Sequence, residues 1–147
     1  MSNPSIPASF ADTLHICDHC LCLHTQRAAR ALARRFDAAL APLGLTHGQF
    51  SLLNALNTPQ PRPMAPVAAL LGMDRTTLTA ALKPLERDGL VQLSVNPKDR
   101  RARLLTLTEP GRAALRRAVP LWRSTHAQVE APLADARALR AALRVLG

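Results

Sequence analysis

Aromatic residues, acidic residues and long apolar runs are all scarce in this chain of 147 residues. It has one Trp, three Phe and no Tyr, which argues against a single-strand binder that stacks bases on aromatic platforms. No run approaches the roughly 18–20 apolar residues of a membrane span, and residues 1–10 lack the basic and apolar regions of a signal peptide. These absences predict a cytoplasmic protein without a membrane partner, whose three cysteines stay reduced by default.

Positive charge is the main compositional bias. Seventeen Arg and two Lys face ten acidic residues, and the formal net charge is +9. Such an excess favours an acidic partner such as nucleic acid or an anionic membrane, and the planar guanidinium suits phosphates and base edges. Only +4 of the charge lies in residues 62–103, so charge alone does not locate a binding site.

Apolar spacing predicts a mainly α-helical chain. One long helix is expected over residues 8–41. This range contains neither Pro nor Gly, its apolar residues recur at helical spacing from Ala8 onward, and Pro42 follows it. Thr46 is a good N-cap for a second helix. The proline-rich run 58–63 predicts a loop, because proline lacks the amide hydrogen and fixes φ.

A helix-turn-helix followed by a β-hairpin is predicted in the middle of the chain. Residues 66–72 form a short helix that ends in glycine, and Asp74 caps a helix running to about residue 88. Residues 90–95 and 103–107 alternate like strands on either side of a charged turn. This hairpin is interpreted as a wing.

The remainder of the chain predicts two more helices. Thr108 caps a helix over 109–129 that is bent or interrupted near Pro120, and Pro132 opens a last helix. The whole chain, 1–147, is interpreted as a single domain.

The helix after Asp74 has one apolar and one polar arc. With about 100° per residue, its short hydroxyls and cations point away from the leucines and have the chemistry for entry into the DNA major groove. An ordinary solvated helix face would show the same pattern. The predicted DNA contacts on this helix are Arg75, Thr76, Thr79, Lys83 and Arg87.

The predicted wing concentrates positive charge. Lys98, Arg100, Arg101 and Arg103 lie within six residues against the single Asp99, and a loop of that charge can contact phosphates or place an arginine in a narrow minor groove. A solvated turn is the alternative interpretation. A basic wing beside a polar helix face favours DNA binding.

Two segments, 74–91 and 99–111, closely resemble the MarR family of winged helix-turn-helix transcriptional regulators. The wing signature, Asp-x-Arg followed by an alternating strand and Leu-Thr-x-x-Gly, carries the resemblance, together with Leu45-Thr-His-Gly-Gln-Phe50. The resemblance implies that Arg101 enters the minor groove, while Asp99 helps to hold the wing.

The same resemblance implies the assembly. It predicts a homodimer formed by intertwined long N- and C-terminal dimerisation helices, at about residues 8–41 and 109–147, with a DNA-binding lobe at 46–107. The dimer would bind double-stranded DNA at a pseudo-palindromic operator. Its two reading helices, the helix after Asp74 in each copy, would lie about one turn of the DNA helix apart. The predicted function is a homodimeric repressor that is released by a small molecule.

The resemblance also implies an effector pocket, because this family commonly binds small aromatic or anionic molecules between the dimer helices and the DNA-binding lobe. No cofactor is required. Alternatively, the candidate wall residues are ordinary core and surface positions. The candidates are His47, Phe50, Trp122, Arg123 and His126.

The first predicted helix holds all three cysteines. Cys17, Cys20 and His24 share one helical face and are candidate ligands for a soft metal ion. The opposite face carries His15, His19 and Cys22. Alternatively, the cysteines act as small hydrophobes in the dimer core.

Thiol redox sensing is a third interpretation of this stretch. Cys22 aligns with the reactive cysteine of the hydroperoxide-sensing branch of the family, and Cys17 and Cys20 are further redox candidates. That branch uses tyrosines to bind its thiolate, whereas Gln26 and Phe36 stand at the aligned positions here, and this difference counts against peroxide sensing.

Two other classes of function compete with a regulator. A small thiol or metal enzyme is disfavoured, because the chain lacks the H-E-x-x-H, glycine-rich phosphate-loop and G-x-S-x-G motifs. An architectural DNA protein would share the charge but coat DNA without sequence preference. The sequence therefore favours a regulator that is not an enzyme.

Overall fold

The N-terminal part of the chain forms two helices rather than the single helix predicted over 8–41. In a computed structural model, which describes residues 7–147, α1 spans Phe10–His19 and α2 spans Leu21–Leu40. A capping box begins α1: the Ser9 hydroxyl accepts the Asp12 N–H at 3.1 Å, and the Asp12 carboxylate accepts the Ser9 N–H at 2.8 Å. Most of residues 1–10, for which the sequence predicts no signal peptide, lies outside the described residues.

Cys20 separates α1 from α2 because its backbone is extended, with ψ at 107°. Its carbonyl oxygen accepts the His24 N–H at 3.1 Å, and its sulfur accepts the Leu23 N–H at 3.4 Å. These two contacts are those of an N-cap residue, with sulfur in place of the usual oxygen. Since cysteine is a weak acceptor, its residue type does not indicate a helix cap, and the prediction of one continuous helix was wrong.

The described chain divides into two units, Met1–Arg35 and Phe36–Gly147. The described part of the first unit has no buried side chain. Four large apolar residues are at least half exposed there, namely Phe10, Leu14, Ile16 and Leu21. This unit consists of helix without a core of its own.

The second unit contains the predicted helix-turn-helix. Thr46 caps α3, His47–Ala55, and α4 spans Met64–Leu71. Gly72 then takes the left-handed conformation, with φ at 64°, which reverses the chain at the end of a helix. Asp74 caps α5, Arg75–Arg87, so both predicted caps are confirmed.

The wing is a small antiparallel sheet. Strands β2, Val91–Asn96, and β3, Asp99–Leu107, form the predicted hairpin, but they extend further into the charged turn than the sequence indicated. The short strand β1, Arg62–Pro63, pairs with β3, and the sheet order is β1-β3-β2. The proline-rich run therefore ends in strand rather than loop, at a sheet edge where a missing amide hydrogen is tolerated.

The last two helices differ from the prediction in detail. Helix α6, Glu109–Glu130, runs uninterrupted through Pro120, and α7 spans Ala136–Leu146. Pro120 removes one hydrogen bond, but it is exposed, so water can satisfy the freed carbonyl. Asp135 rather than Pro132 begins α7, because its carboxylate accepts the Ala138 N–H at 2.8 Å.

The core of the second unit lies between α3, α5, the sheet and the first turns of α6. Burying a leucine side chain stabilises a fold by about 1.5–3 kcal/mol, and this core is made largely of leucines. Its most deeply buried members are Leu40, Leu52, Leu53, Leu56, Val67, Leu78, Leu82, Leu85, Leu105, Leu107 and Ala118. No helix in the part of the chain that the structure describes is long and apolar enough to cross a membrane.

Candidate nucleic-acid interface

Helix α5 has the two arcs that the sequence predicts. Leu78, Leu82 and Leu85 are buried in the core, and this anchors the helix by one side. The five predicted contact residues of α5, Arg75, Thr76, Thr79, Lys83 and Arg87, are all exposed. The side chains of Arg75 and Lys83 have no ion pair within residues 7–147, whereas Arg87 lies 3.3 Å from Asp88.

The N-terminus of α5 is fixed by Asp74. Its carboxylate accepts the Thr77 N–H at 2.6 Å, and this backbone hydrogen bond is the main cause that lowers the pKa of Asp74 below its ordinary value. A charged carboxylate at this end also suits the helix dipole. The cap therefore holds the first turn of α5, where Arg75 and Thr76 lie, in a defined position.

Two side chains shape the tip of the wing. Asn96 accepts the Lys98 N–H at 3.0 Å, and Asp99 accepts the Arg101 N–H at 3.0 Å. Both acceptors therefore bind backbone rather than cations. The resemblance implied that Asp99 holds the wing, and its hydrogen bond to the backbone of Arg101 is a contact of that kind.

The cations of the wing remain available to a ligand. All four are exposed, and none has an ion pair in the part of the chain that the structure describes; they are Lys98, Arg100, Arg101 and Arg103. Sequence reasoning missed Asn96, although the dipeptide Asn96-Pro97 is a turn signal that could have indicated it.

The base of the wing is joined to α6. Thr108 donates to the carbonyl oxygen of Gly89 at 2.7 Å and accepts the Gly111 N–H at 3.1 Å, while Arg112 donates to the carbonyl oxygen of Leu107 at 2.7 Å. A side chain at Gly111 would collide with the backbone of Leu90. The start of α6 therefore packs directly on the sheet.

Four of the five predicted effector residues lie together. Phe50, Trp122 and Arg123 line a cavity of about 480 Å³ between α3, α4 and α6. His126 stacks on Trp122, with ring centroids 4.6 Å apart. The sequence did not indicate the other lining residues, although Asn54 is one helical turn beyond Phe50 and could have been found by that spacing.

His47 does not line this cavity. Its backbone N–H and its ring Nδ1 both lie within hydrogen-bond distance of Oδ1 of Asp37, at 2.7 and 2.8 Å. His47 therefore has a structural contact between the end of α2 and the start of α3.

The predicted metal ligands Cys17, Cys20 and His24 do not form a site. Among residues 7–147 no three His, Cys, Asp or Glu side chains are placed to hold a metal ion. The break at Cys20 alters the helical register on which the prediction rested, and Nδ1 of His24 is within 2.8 Å of the Cys20 carbonyl oxygen. All three cysteines are free thiols, and Cys17 and Cys22 are exposed.

Together, the capped reading helix and the cationic hairpin define a winged helix-turn-helix domain. The family model of the MarR family matches residues 43–102 of the sequence. The fold is also similar to that of M. tuberculosis transcriptional regulator MosR in complex with DNA, with 43% identity, a TM-score of 0.81, and coverage of 87% of this chain and 93% of MosR. The chain belongs to the MarR family of transcriptional regulators.

Two further relatives are similar over different lengths. The transcriptional repressor CouR, bound to a 23-mer DNA duplex, is 33% identical, with a TM-score of 0.73 and coverage of 89% of this chain and 92% of CouR. The transcriptional activatory protein BadR of Rhodopseudomonas palustris (strain ATCC BAA-98 / CGA009) is 34% identical over 57% of this chain and 50% of BadR. The chain spans only 50–60% of the length of the first two curated relatives that it matches.

Proposed function

We propose that this chain is a homodimeric transcriptional repressor that binds a pseudo-palindromic operator and is released by a small molecule. The observation that carries the proposal is a set of exposed cations on α5 and on the wing tip that have no ion pair within residues 7–147. Arg75 and Lys83 on α5 lie on the arc opposite the core, where bases of a major groove can be read. Arg101 at the wing tip is available to the minor groove.

Dimerisation is supported by exposed apolar side chains on the terminal helices. Phe10 and Leu21 are 75% and 68% exposed, and α7 exposes Leu139, Leu143 and Leu146. Such faces need a covering surface, and a second copy supplies one. Leu143→Glu places a charge in that face and should yield monomers by light scattering after gel filtration. Arg144→Glu, one position away, serves as the control, and dimers in the Leu143 variant would contradict the proposal.

The DNA-binding part is tested by selection of bound sequences from a random duplex library, followed by footprinting. A two-fold symmetric footprint with half-sites about 10 base pairs apart is expected. Coating without sequence preference would instead favour an architectural DNA protein. MosR and CouR are each seen with DNA, which supports the first outcome.

The direction of regulation is part of the proposal, because CouR is described as a repressor and BadR as an activatory protein. A reporter placed behind the selected operator should be silenced by the protein and restored by inducer. Activation by the protein would contradict repression.

We further infer that the protein is a regulator rather than an enzyme, that it requires no cofactor and that it acts in the cytoplasm. The relatives are transcriptional regulators, which supports this inference.

The effector cavity is assigned to the space beside Trp122. Its wall combines the rings of Phe50 and Trp122 with the guanidinium of Arg123, and this chemistry suits an aromatic or anionic molecule. A ligand there would contact α3 and α6 and shift the reading helices apart or together. Trp122→Leu should abolish release by inducer while leaving operator binding in place.

A thiol-redox regulator is the second candidate, favoured by the contacts of two sulfurs. Gln26 donates to Cys22 at 3.3 Å, and Leu23 donates to Cys20 at 3.4 Å. Peroxide would oxidise Cys22 to a sulfenic acid with loss of water. Cys22→Ser should then bind DNA but resist release by peroxide, with Cys17→Ser as the matched control. Release that is unchanged in Cys22→Ser would exclude Cys22 as the sensor.

A further inference from the structure

A small cavity, of about 280 Å³, lies between the C-terminal end of α3 and the first turns of α6. Leu115 and Val119 form its apolar floor. Its polar lining consists of two amides from the end of α3 and just beyond, and two arginines from α6, namely Asn54, Asn57, Arg112 and Arg116. No carboxylate is among the described residues that line it. Every polar side chain of this α3–α6 cavity can therefore donate hydrogen bonds, and two of them are cations.

The two arginines are one helical turn apart and line the same cavity. Nη1 of Arg112 donates to the carbonyl oxygen of Leu107 at 2.7 Å, and Nη2 of Arg116 donates to Glu109 at 2.8 Å. Each contact uses one nitrogen of a guanidinium group that has five N–H donors, so both groups retain donors for a ligand. Like charges at this spacing repel each other on a helix. An anion bound between the two arginines would relieve that repulsion.

The carboxylate of Glu109 already responds to both arginines. Glu109 is exposed in the first turn of α6 and does not line the cavity. The hydrogen bond from Arg116 is the main cause that lowers the pKa of Glu109, and the charges of Arg116 and Arg112 lower it further. Two arginines and one carboxylate leave a net positive charge, so this end of α6 favours a further anion.

The amides of Asn54 and Asn57 face the arginines from the other side of the cavity. Both residues are exposed, and neither side chain has a hydrogen-bond partner within residues 7–147. Each amide offers two N–H donors, and its oxygen can accept from a hydroxyl group. Charged and neutral donors from two parts of the chain therefore converge on one small space.

We propose that the α3–α6 cavity binds a phosphate dianion, either free or as the monoester of a compact metabolite. Phosphate oxygens are strong acceptors, and the guanidinium groups of Arg112 and Arg116 match them in paired hydrogen bonds. The amides of Asn54 and Asn57 complete the set of donors. The volume restricts the ligand to a compact one, because pockets for larger organic ligands begin at about 300 Å³.

A phosphate bound here would bridge α3 to α6. Arg112 also donates to Leu107, the last residue of β3, so the ligand would be connected to the sheet as well. Since the site exists only in the folded protein, its occupation should raise the melting temperature. This inference does not rest on the proposed function, and its test needs no DNA.

The test is an NMR titration of the DNA-free, full-length, isotope-labelled protein with inorganic phosphate and, in a second arm, with glycerol 3-phosphate. Both are added at about pH 8, where the dianion dominates, against chloride at equal ionic strength. The side-chain amide signals of Asn54 and Asn57 should shift and saturate, which distinguishes this cavity from the cations of the wing. Tighter binding of the ester would identify a metabolite as the ligand, and tighter or equal binding of phosphate would identify the free anion.

Two substitutions should change the affinity for phosphate in opposite directions. Arg116→Gln should weaken binding by roughly fivefold, the effect of one half-exposed charged hydrogen bond. Glu109→Gln removes the carboxylate that competes for Arg116 and should strengthen binding by a similar factor. The matched control is Arg117→Gln, which removes the neighbouring exposed arginine outside the cavity and should leave the affinity unchanged.

Melting curves verify that each variant folds, and if Glu109→Gln does not, the comparison of Arg116→Gln with Arg117→Gln decides. Equal weakening in those two variants would show only a general attraction to positive charge and would overturn the proposal. Signals of Asn54 and Asn57 that do not shift, or do not saturate, would overturn it as well. Failure of the protein to bind DNA would overturn the proposed function alone and would leave the result for the α3–α6 cavity intact.

Discussion

One carboxylate oxygen of Asp37, near the end of α2, accepts two hydrogen bonds from His47, the first residue of α3. The backbone N–H of His47 donates at 2.7 Å, and its ring Nδ1 lies at 2.8 Å. The backbone hydrogen bond is the largest cause that lowers the pKa of Asp37, followed by the bond to the ring. This pair joins the last turns of α2 to the first turn of α3.

Asp37→Ala should lower the melting temperature at pH 7, because it removes both hydrogen bonds. A folded pKa below the ordinary value of about 3.9 means that the folded state binds the proton more weakly. The contribution of Asp37 is therefore complete above that value and is lost as the pH falls through the lower, folded pKa. Melting curves at decreasing pH should show the wild-type advantage shrinking below about pH 4.

Asp18→Ala is the control for this pair, since the Asp18 carboxylate has no hydrogen-bond or ion-pair partner among residues 7–147. Its melting temperature should follow that of the wild-type protein across the pH range. If the difference in melting temperature between Asp37→Ala and the wild-type protein were independent of pH, the contact with His47 would not depend on the charge of the Asp37 carboxylate.

Gly111→Ala should destabilise the protein strongly. The added Cβ would collide with the carbonyl oxygen of Leu90 and approach Cδ1 of Leu107 to 2.7 Å. Since the first of these is backbone, relief requires movement of α6 or the sheet, and overpacking of this kind costs about 1–3 kcal/mol. Urea denaturation measures the loss in the free energy of unfolding.

The matched control for Gly111 is Gly48→Ala in α3. The nearest atom to its added Cβ is 3.9 Å away, and alanine is the better helix former by roughly 0.5–1 kcal/mol. This variant should be as stable as the wild-type protein or slightly more so. Equal destabilisation of the two variants would contradict the packing assigned to the start of α6.

Thr108→Val should loosen the joint between the wing and α6. It keeps the side-chain shape but loses the hydrogen bond to the Gly89 carbonyl oxygen and the cap on the Gly111 N–H. Loss of such a cap costs about 1–2 kcal/mol, measured by urea denaturation. Thr108→Ser retains the hydroxyl and should recover most of that stability; equal losses in the two variants would point to the methyl group instead.

Arg101→Ala should weaken operator binding without changing the melting temperature. The arginine is exposed and has no ion pair within the described residues, so its removal leaves the fold intact. If it contacts a phosphate, the slope of log affinity against log salt should fall by about one; if it reads a narrow minor groove, the loss should depend on the base sequence at that position. Arg116→Ala, a charge loss at the exposed Arg116–Glu109 pair on α6, should leave affinity near that of the wild-type protein.

The periodicity of the sequence predicted the helices of the helix-turn-helix well. The alternation around α5 is strong because one arc must pack into the core, and Leu78, Leu82 and Leu85 are buried as that pattern requires. The caps at Thr46 and Asp74 were predictable for a different reason. A capping side chain acts within three residues of its own position, so the signal is local in the sequence.

Features that depend on contacts distant in sequence, or on unusual local chemistry, were not predictable. Sulfur replaces oxygen as the cap at Cys20, and nothing in residue type indicates that. Strand β1 forms only because β3 offers its free edge to Arg62 and Pro63. The hydrogen bonds between Asp37 and His47 join two helices, so local pattern placed His47 in a ligand pocket where it does not lie.

The close packing of Gly111 against Leu90 has a mechanical consequence. Trp122 lies eleven residues further along the same uninterrupted helix, about 16 Å away at 1.5 Å per residue. Helix α6 therefore connects the cavity beside Trp122 to the base of the wing through one continuous helix. If the cavity binds an effector as proposed, a tilt of α6 produced there would be transmitted to the base of the wing and from it to the arginines at the wing tip.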